Sequence, residues 1–267
     1  MHAGPSRLTR DIQLSRVGLK LTQAHGRHTI TLLRHASQSS NLWLDRQKRD
    51  VYKKMSRYEN YRARSAYKLI QIDDKYNFLQ PGKIVIEAGS APGSWTQVIC
   101  ERLDLVEKQK PRSTKGACIA VELGSMAPVE GAVCLNNTDF TSPFTQAKIL
   151  DWLNGRKVDC VLSDMAPAAS GNKDYDHLRQ IHLVKKLVPF SLRIMQSGTG
   201  ILLAKIWSGQ ETDALLAELS KQFSSVKQIK PDASRKESSE MFVLCRGFKG
   251  EHGIEAEQIS NHDSRES

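Results

Sequence analysis

The stretch that most constrains this chain is Glu87-Ala88-Gly89-Ser90-Ala91-Pro92-Gly93-Ser94-Trp95, directly after the apolar run Ile84-Val85-Ile86. A buried strand that ends on an acidic residue and turns through glycines into a helix is the local geometry that holds an adenosine-containing cofactor at the edge of an α/β sheet. The spacing narrows the choice. Gly89 and Gly93 give G-x-x-x-G with Pro92 between them, whereas a dinucleotide site uses G-x-G-x-x-G so that backbone amides and a helix N-terminus receive a pyrophosphate. S-adenosylmethionine has no phosphate and suits this turn better. Glycines let the backbone approach the ligand, and Trp95 either flanks it or packs the following helix.

The rest of the chain supplies matching elements. Pro81-Gly82 stops a helical pattern over Tyr61–Leu79, and strands and helices then alternate. Strands are expected at about 83–88, 117–122, 132–136, 158–163 and 199–206, with helices at about 94–105, 143–153, 176–196 and 211–222. Two more strands, near 225–230 and 240–246, are separated by a polar loop and close the series. Alternation of this kind predicts an α/β fold: a seven-stranded, mostly parallel sheet covered by helices on both faces, with one antiparallel strand from the hairpin-like ending. Residues 106–116 are polar with Pro and Gly and read as a surface loop.

Length and charge bound the organisation. With 267 residues and 39% hydrophobic content, one large domain is expected. The net charge of +10 is concentrated at the start: residues 1–41 carry six Lys/Arg against Asp11, and residues 42–68 carry nine against three acidic side chains. The first forty residues are rich in Arg, His and Ser and lack an apolar run long enough for a secretory core or a membrane span. That composition fits a mitochondrial presequence, with a basic RNA-touching tail as the alternative. In segment 42–68, Trp43, Tyr52, Tyr58, Tyr61 and Tyr67 alternate with Arg and Lys, so cations can meet phosphates while aromatic faces stack on bases or anchor the helix. Arg235 and Lys236 make a second basic spot. Five scattered cysteines, without C-x-x-C or histidines at ligand spacing, predict buried thiols in a reducing compartment and no metal.

In a sheet of this type ligands bind beyond the carboxyl ends of the strands. Glu87, Glu122, Asp139, Asp164 and Lys205 all stand at those ends. Glu87 is expected near the cofactor's amino group or the glycine turn, Glu122 at ribose hydroxyls and Asp139 at an adenine amine. Lys205 leaves the core directly after Ile201-Leu202-Leu203-Ala204, a position from which a desolvated lysine can accept a proton or, in the plainer reading, simply snorkel. Asp164-Met165-Ala166-Pro167 stands where amino-group methyltransferases carry D/N-P-P-aromatic. A carboxylate beside a lysine suits a hydroxyl rather than a nitrogen lone pair.

Four collinear segments, EAGSAPGSW, SDMAP, LLAKIW and PDASRKESSEMFVLC, resemble the FtsJ-type (RrmJ-type) RNA 2′-O-methyltransferases from about Tyr58 to Phe248, most closely the mitochondrial rRNA methyltransferase 2 branch. The resemblance implies a class I S-adenosylmethionine-dependent (Rossmann-like) methyltransferase fold. It also implies a catalytic Lys, Asp, Lys, Glu tetrad at Lys68, Asp164, Lys205 and Glu240. Implied cofactor contacts are Gly93, Trp95, Glu122, Asp139 and Asp164, to which the turn adds Glu87, Gly89, Pro92 and Ser94. Two departures are Glu87-Ala88-Gly89-Ser90 for the usual Asp-Leu-Gly-Ala, and Glu122 for a common Asp; both keep charge and lengthen the side chain.

The expected arrangement is therefore a presequence-like, disordered segment 1–40, a methyltransferase domain 41–248 with a basic RNA-binding start, and a disordered polar tail 249–267. The expected reaction is methyl transfer to a uridine 2′-hydroxyl of mitochondrial large-subunit ribosomal RNA. It would be carried out in the matrix by a monomer acting on an assembly intermediate. The rivals are a tRNA or mRNA-cap 2′-O-methyltransferase and an RNA-binding ribosome assembly factor whose methylation is secondary.

Overall fold

A computed structural model describes residues 50–106 and 116–250, with the backbone of three short strands before them. The chain divides into two compact units, Met1–Val51 and Tyr52–Ser267. In the first, β1 (Gln13–Leu14), β2 (Leu19–Ala24) and β3 (Arg27–Leu32) pair antiparallel, with Leu19 opposite Leu32 and Leu21 opposite Ile30. Here segment 1–40 has local backbone pairing where the sequence reading expected disorder. Alternation of Leu, Ile and Thr with polar residues around a two-residue connection is a hairpin pattern, which the presequence-like composition masked. The remainder of that segment, Trp43, most of the expected loop 106–116 and tail residues 251–267 lie outside the described residues.

The second unit is built on a seven-stranded sheet. Its strands are β4 (Ile84–Ala88), β5 (Ala117–Val121), β6 (Ala132–Leu135), β7 (Cys160–Ser163), β8 (Ile201–Trp207), β9 (Phe223–Ile229) and β10 (Glu240–Phe248). They lie in the order β6-β5-β4-β7-β8-β10-β9. β10 runs antiparallel to both of its neighbours, and every other pairing in the sheet is parallel. The chain winds outward from β4 to β6, then returns to start again at β7. The crevice beyond the ends of β4 and β7 is thus the topological switch point, where ligands of doubly wound sheets bind.

Strand parity decides which side chains reach which face. Ile84, Ile86, Ala88, Val161, Leu202, Ala204, Ile206, Val243 and Cys245 point to one core. Helices α4 (Pro143–Leu153), α5 (Lys173–Ile194) and α6 (Thr212–Gln222) cover it, through Ile149, Val184, Leu187 and Leu219 among others. Val85, Cys160, Leu162, Leu203, Phe242 and Leu244 point to the other core, covered by α2 (Ala66–Tyr76) and α3 (Ser94–Arg102). A further helix, α1 (Val51–Tyr58), precedes α2. By the same parity Glu87, Asp164, Lys205 and Glu240 belong to the α2/α3 side, which is how residues distant in sequence come to share a face.

Trp95, expected beside the cofactor, has its indole in this second core. It is 1% exposed, stacks at 5.6 Å on Phe242 and donates from Nε1 to the Ser65 carbonyl at 2.8 Å. Its ring therefore packs α3 onto the sheet rather than lining the ligand cleft. Trp95→Ala should cost about 3–5 kcal/mol of unfolding free energy, the usual range for deleting a fully buried large aromatic. Urea unfolding measures this; a loss under about 1 kcal/mol would show that the ring is not part of the core.

Candidate active site

A cleft of about 790 Å³ opens at the switch point. Its floor is formed by Gly89 and Ala91 of the glycine turn, Glu122, Asp139 and Phe140 at the ends of β5 and β6, and Asp164 and Met165 after β7. The turn is tightly built. Gly89 and Ser90 both donate to the Val121 carbonyl, and Gly93 donates to Ser90 at 2.7 Å. Gly89 (φ 78) and Gly93 (φ 105) occupy left-handed conformations. A Cβ on Gly89 would meet the Met165 backbone at 2.9 Å, and one on Gly93 would meet Arg62 Nη1 at 2.7 Å. Both glycines are therefore required for φ and for close approach together.

Arg62, which sequence reasoning placed only among the RNA-facing cations, clamps this turn. Its guanidinium donates to the carbonyls of Pro92 at 3.0 Å, Ala127 at 2.6 Å and Pro128 at 2.5 Å. Ser94, expected at the cofactor, is buried and shares a 2.7 Å hydrogen bond with the Ser65 hydroxyl. The first-turn N–H groups of α3 have no intrahelical acceptor and lie at the end of this turn. Glu122 bridges the turn to β5: Oε2 accepts from Ala91 N–H at 2.8 Å and Oε1 from Gly124 N–H at 2.9 Å. Asp139 Oδ1 accepts from both the backbone and the hydroxyl of Thr141, at 2.8 and 2.9 Å. On the opposite wall, α5 contributes Leu178, Arg179, His182, Leu183 and Lys186, which the sequence reading did not anticipate.

The four tetrad residues converge as two ion pairs. Lys205, 8% exposed, sits 2.9 Å from Asp164 Oδ1 and donates to the Asp164 carbonyl oxygen at 2.5 Å. The aligned hydrogen bond goes to the carbonyl; the carboxylate contact is an ion pair. Lys68 contacts both oxygens of Glu240, at 2.6 and 2.7 Å, and the Ser234 hydroxyl donates to Glu240 Oε1 at 2.9 Å. The pairs meet around Phe242: its Cα is the ladder partner of Lys205, its ring lies 5.9 Å from the Lys68 ammonium, and Glu240 stands two residues before it on the same face. Burial raises the Glu240 pKa, but the charge and hydrogen bond of Lys68, the Ser234 hydroxyl and the charge of Lys205 outweigh it and leave the carboxyl below its ordinary value.

Gln180, at an apolar-stripe position of α5 and 1% exposed, was also missed. Its amide donates to the carbonyls of Met165 at 3.0 Å and Lys205 at 2.7 Å, tying together the segments that present Asp164 and Lys205. A polar residue inside an otherwise apolar stripe was the available signal. Among the described residues no cluster of metal-ligating side chains occurs and no helix is long and apolar enough to cross a membrane. The five cysteines are free thiols, and burial pushes Cys245 up to about 12.

Glu87 is 1% exposed, with Oε2 accepting from the Thr96 hydroxyl at 2.6 Å and Oε1 unpartnered among the described residues. Burial lifts its carboxyl well above 4.5; the Thr96 hydrogen bond opposes this, and the charges of Asp164 and Glu122 add to it. A carboxyl whose folded pKa exceeds its unfolded value holds its proton more tightly when folded. It therefore costs stability increasingly as pH rises above about 4.5 and toward the raised folded value. Glu87→Gln removes that titration. In urea unfolding its stability relative to wild type should climb between about pH 5 and pH 8, whereas parallel pH curves would show that Glu87 is not desolvated.

The comparisons with known proteins agree with this geometry. A family model described as FtsJ-like methyltransferase matches residues 61–248. The chain is 43% identical over 212 residues to the Cereibacter sphaeroides ribosomal RNA large subunit methyltransferase E, covering 79% of this chain and 85% of that protein. It is 42% identical over 218 residues to the Drosophila melanogaster mitochondrial rRNA methyltransferase 2, covering 82% and 86%. Among solved structures, a Plasmodium falciparum protein described as a ribosomal RNA methyltransferase superposes with a TM-score of 0.62 at 31% identity, over 71% of this chain and all 100% of its own. The cleft, the two ion pairs and the glycine turn all fall within the matched span, and this chain belongs to the FtsJ-like methyltransferase family.

Proposed function

We propose that this protein is an S-adenosylmethionine-dependent methyltransferase of RNA ribose 2′-hydroxyls, acting on a uridine of mitochondrial large-subunit ribosomal RNA during ribosome biogenesis. The observation that carries the reading is the Lys205 ammonium held against Asp164 at the lip of the cleft, with the Lys68–Glu240 pair across Phe242. Relatives named for ribosomal RNA methylation, and the mitochondrial names of the fly and worm proteins, support the substrate and the compartment. The basic start supports both an RNA face and import.

The cleft's chemistry suits a cationic cofactor. Glu122, Asp139 and Asp164 line it, and the buried Glu87 carboxyl next to the turn feels the negative charge of Asp164 and Glu122. An ammonium or sulfonium relieves that repulsion, and buried Ser90 Oγ and Glu87 Oε1, both unpartnered among the described residues, border the turn that would receive it. Gly89, Pro92, Gly93 and Ser94 would shape the backbone around it, Trp95 contributing through its main chain. Glu122 and Asp139 would accept from ribose and adenine donors.

S-adenosylmethionine supplies an electrophilic methyl group on sulfur. The protein's task is to align the ribose oxygen and move its proton. Where the methyl passed from sulfur to the ribose oxygen and left a neutral thioether, Lys205 would act in one of two ways: as the free amine it would take up the hydroxyl proton, and as the ammonium it would stabilise the developing alkoxide charge. Asp164 would set the orientation of Lys205, with Lys68 beside it, and Glu240 would hold Lys68 or the sugar. Alignment supplies much of the rate, and general-base help adds roughly 10²–10⁴-fold.

Lys205→Ala should therefore lower turnover on organellar ribosomal RNA by about 10²–10⁴-fold or more while calorimetric S-adenosylmethionine affinity stays within a few-fold. Transfer of tritium from methyl-labelled cofactor, followed by mapping of 2′-O-methyl positions in cells with and without the protein, tests the reaction. Label on a base, on tRNA or on capped mRNA would reject the ribosomal ribose assignment. Normal ribosome assembly in Lys205→Ala cells without the mark would favour the assembly-factor reading.

A further inference from the structure

The strand that carries Lys205 outruns its parallel neighbour. β7 ends at Ser163, opposite Ala204, whereas β8 continues to Trp207. On the edge facing β7 the Ile201 N–H donates to the Asp159 carbonyl. The two-residue alternation of a strand puts the carbonyls of Lys205 and Trp207 on that same edge, past the last residue of β7 that could donate to them. Carbonyls so placed need donors from elsewhere. Helix α5 supplies both from one face: Gln180 donates to the Lys205 carbonyl at 2.7 Å, and three residues earlier His177 Nδ1 lies 2.6 Å from the Trp207 carbonyl oxygen.

His177 is buried, and the loop after β8 wraps its ring. The Glu211 N–H donates to Nε2 at 3.0 Å, and Gly209 lies so close that a Cβ there would meet the ring's Cγ at 2.5 Å. A ring nitrogen that accepts from a backbone N–H carries no proton, so the proton of the neutral ring is on Nδ1 and is donated to Trp207. A second proton, on Nε2, would face the Glu211 N–H donor to donor. One tautomer in one orientation is therefore selected. Trp207 is in turn the ladder partner of Glu240, and the Ser208 N–H donates to the Ser239 carbonyl at 2.9 Å. Fixing the Trp207 carbonyl thus fixes the point where the ends of β8 and β10 part, two residues beyond Lys205. We propose that His177 is a positioning residue whose Nδ1–H, directed by the Glu211 N–H on the far side of the ring, anchors the end of β8 and keeps Lys205 in register with Glu240. Its bearing on catalysis rests on the reading that Lys205 acts on a ribose hydroxyl.

The two ring nitrogens can be removed one at a time. Asparagine places its amide nitrogen near the Nδ1 position and keeps the donor to Trp207, whereas glutamine reaches the Nε2 position and keeps only the acceptor for Glu211. In the full-length protein His177→Gln should lower kcat by up to about 10²-fold, the cost of roughly 1 Å of misplacement, with KM for RNA and cofactor little changed. His177→Asn should recover most of that loss. A role in folding alone predicts the opposite order, because the shorter asparagine leaves the larger void, and unfolding midpoints of both variants separate the two cases. Wild-type kcat in His177→Gln, or losses that follow the unfolding midpoints, would overturn the assignment. So would nitrogen-15 NMR of histidine-labelled protein that puts the ring proton on Nε2, the His177 signal being the one missing from His177→Asn. Amide hydrogen exchange is read without methyl transfer: segments 205–211 and 238–242 should exchange faster in His177→Gln than in His177→Asn, and equal rates would also overturn it. If the exchange contrast and the Nδ1–H tautomer appear in a protein that methylates no RNA, the proposed reaction fails and the anchor stands.

Discussion

Lys205 is drawn almost wholly out of water on a central strand, and much of the surrounding architecture answers what that placement demands. Desolvating an ammonium costs several kcal/mol unless a charge partner and hydrogen-bond acceptors are already in place. Asp164 supplies both, through its carboxylate at 2.9 Å and its own carbonyl oxygen at 2.5 Å. It can do so because β7 and β8 are adjacent and parallel, so their carboxyl ends arrive together. The backbone on either side is then pinned from the opposite face by Gln180, whose amide spans Met165 and Lys205. An amine held by a neighbouring strand, on a backbone pinned by a buried amide, has little freedom to turn away from Asp164. That is the condition for aligning a hydroxyl with a reactive methyl group.

The charges around this pair follow a consistent logic. Lysine and carboxylate alternate through Asp164, Lys205, Glu240 and Lys68, so burial of four ionisable groups leaves no net charge to desolvate. Glu240, only partly buried, lies below its ordinary pKa because two lysines and the Ser234 hydroxyl act on it, whereas Glu87 lies well above because it is fully buried, with the charges of nearby carboxylates adding to that. Two glutamates on one face of one sheet are thus pushed in opposite directions, one by burial and one by its cationic partners. The boundary between them separates a part of the site rich in compensating cations from a part where negative charge accumulates and where a positive ligand would be favoured.

Much of this was legible in the sequence, for reasons that can be assigned. Helix α4 spans Pro143–Leu153 as expected because proline at its start and Asn154 in a left-handed cap mark both ends. The mostly parallel seven-stranded sheet with one antiparallel strand follows from alternation and the hairpin-like ending, and every strand-end carboxylate expected in the cleft except Glu87 lines it. Trp95 was ambiguous because an aromatic residue in the first turn after a glycine loop can face either the ligand or the sheet; the hydrogen bond to Ser65 and the stack on Phe242 decide for the sheet. The helix expected over Tyr61–Leu79 is shorter, Ala66–Tyr76. Its missing first turn is explained by contacts no local pattern encodes: Tyr61 bonds Glu101, the Arg62 N–H bonds Gln97, and Gln97 bonds the Asn60 carbonyl. The α5 wall of the cleft stayed hidden for the opposite reason, since ordinary solvated Arg, His and Lys on a helix carry no sign of facing a ligand.

Those tertiary bonds explain why the first helical turn is given up. Residues 60–65 run along α3 and onto the glycine turn, with the Ser65 carbonyl receiving Trp95, the Ser65 hydroxyl meeting Ser94, and Arg62 spanning Pro92 to Pro128. The next residues of the same segment, Arg64 and Lys68, line a small recess of about 260 Å³ beside Glu240. A stretch of nine residues therefore touches the glycine turn at one end and the two ion pairs at the other. Continuing the helix through it would satisfy the local backbone but release the turn, leaving Gly89 and Gly93 in left-handed conformations with fewer restraints. In the irregular segment, hydrogen bonds to α3 and to the glycine turn stand in place of that turn of helix. Transfer between two bound groups loses rate steeply when their separation is free to vary.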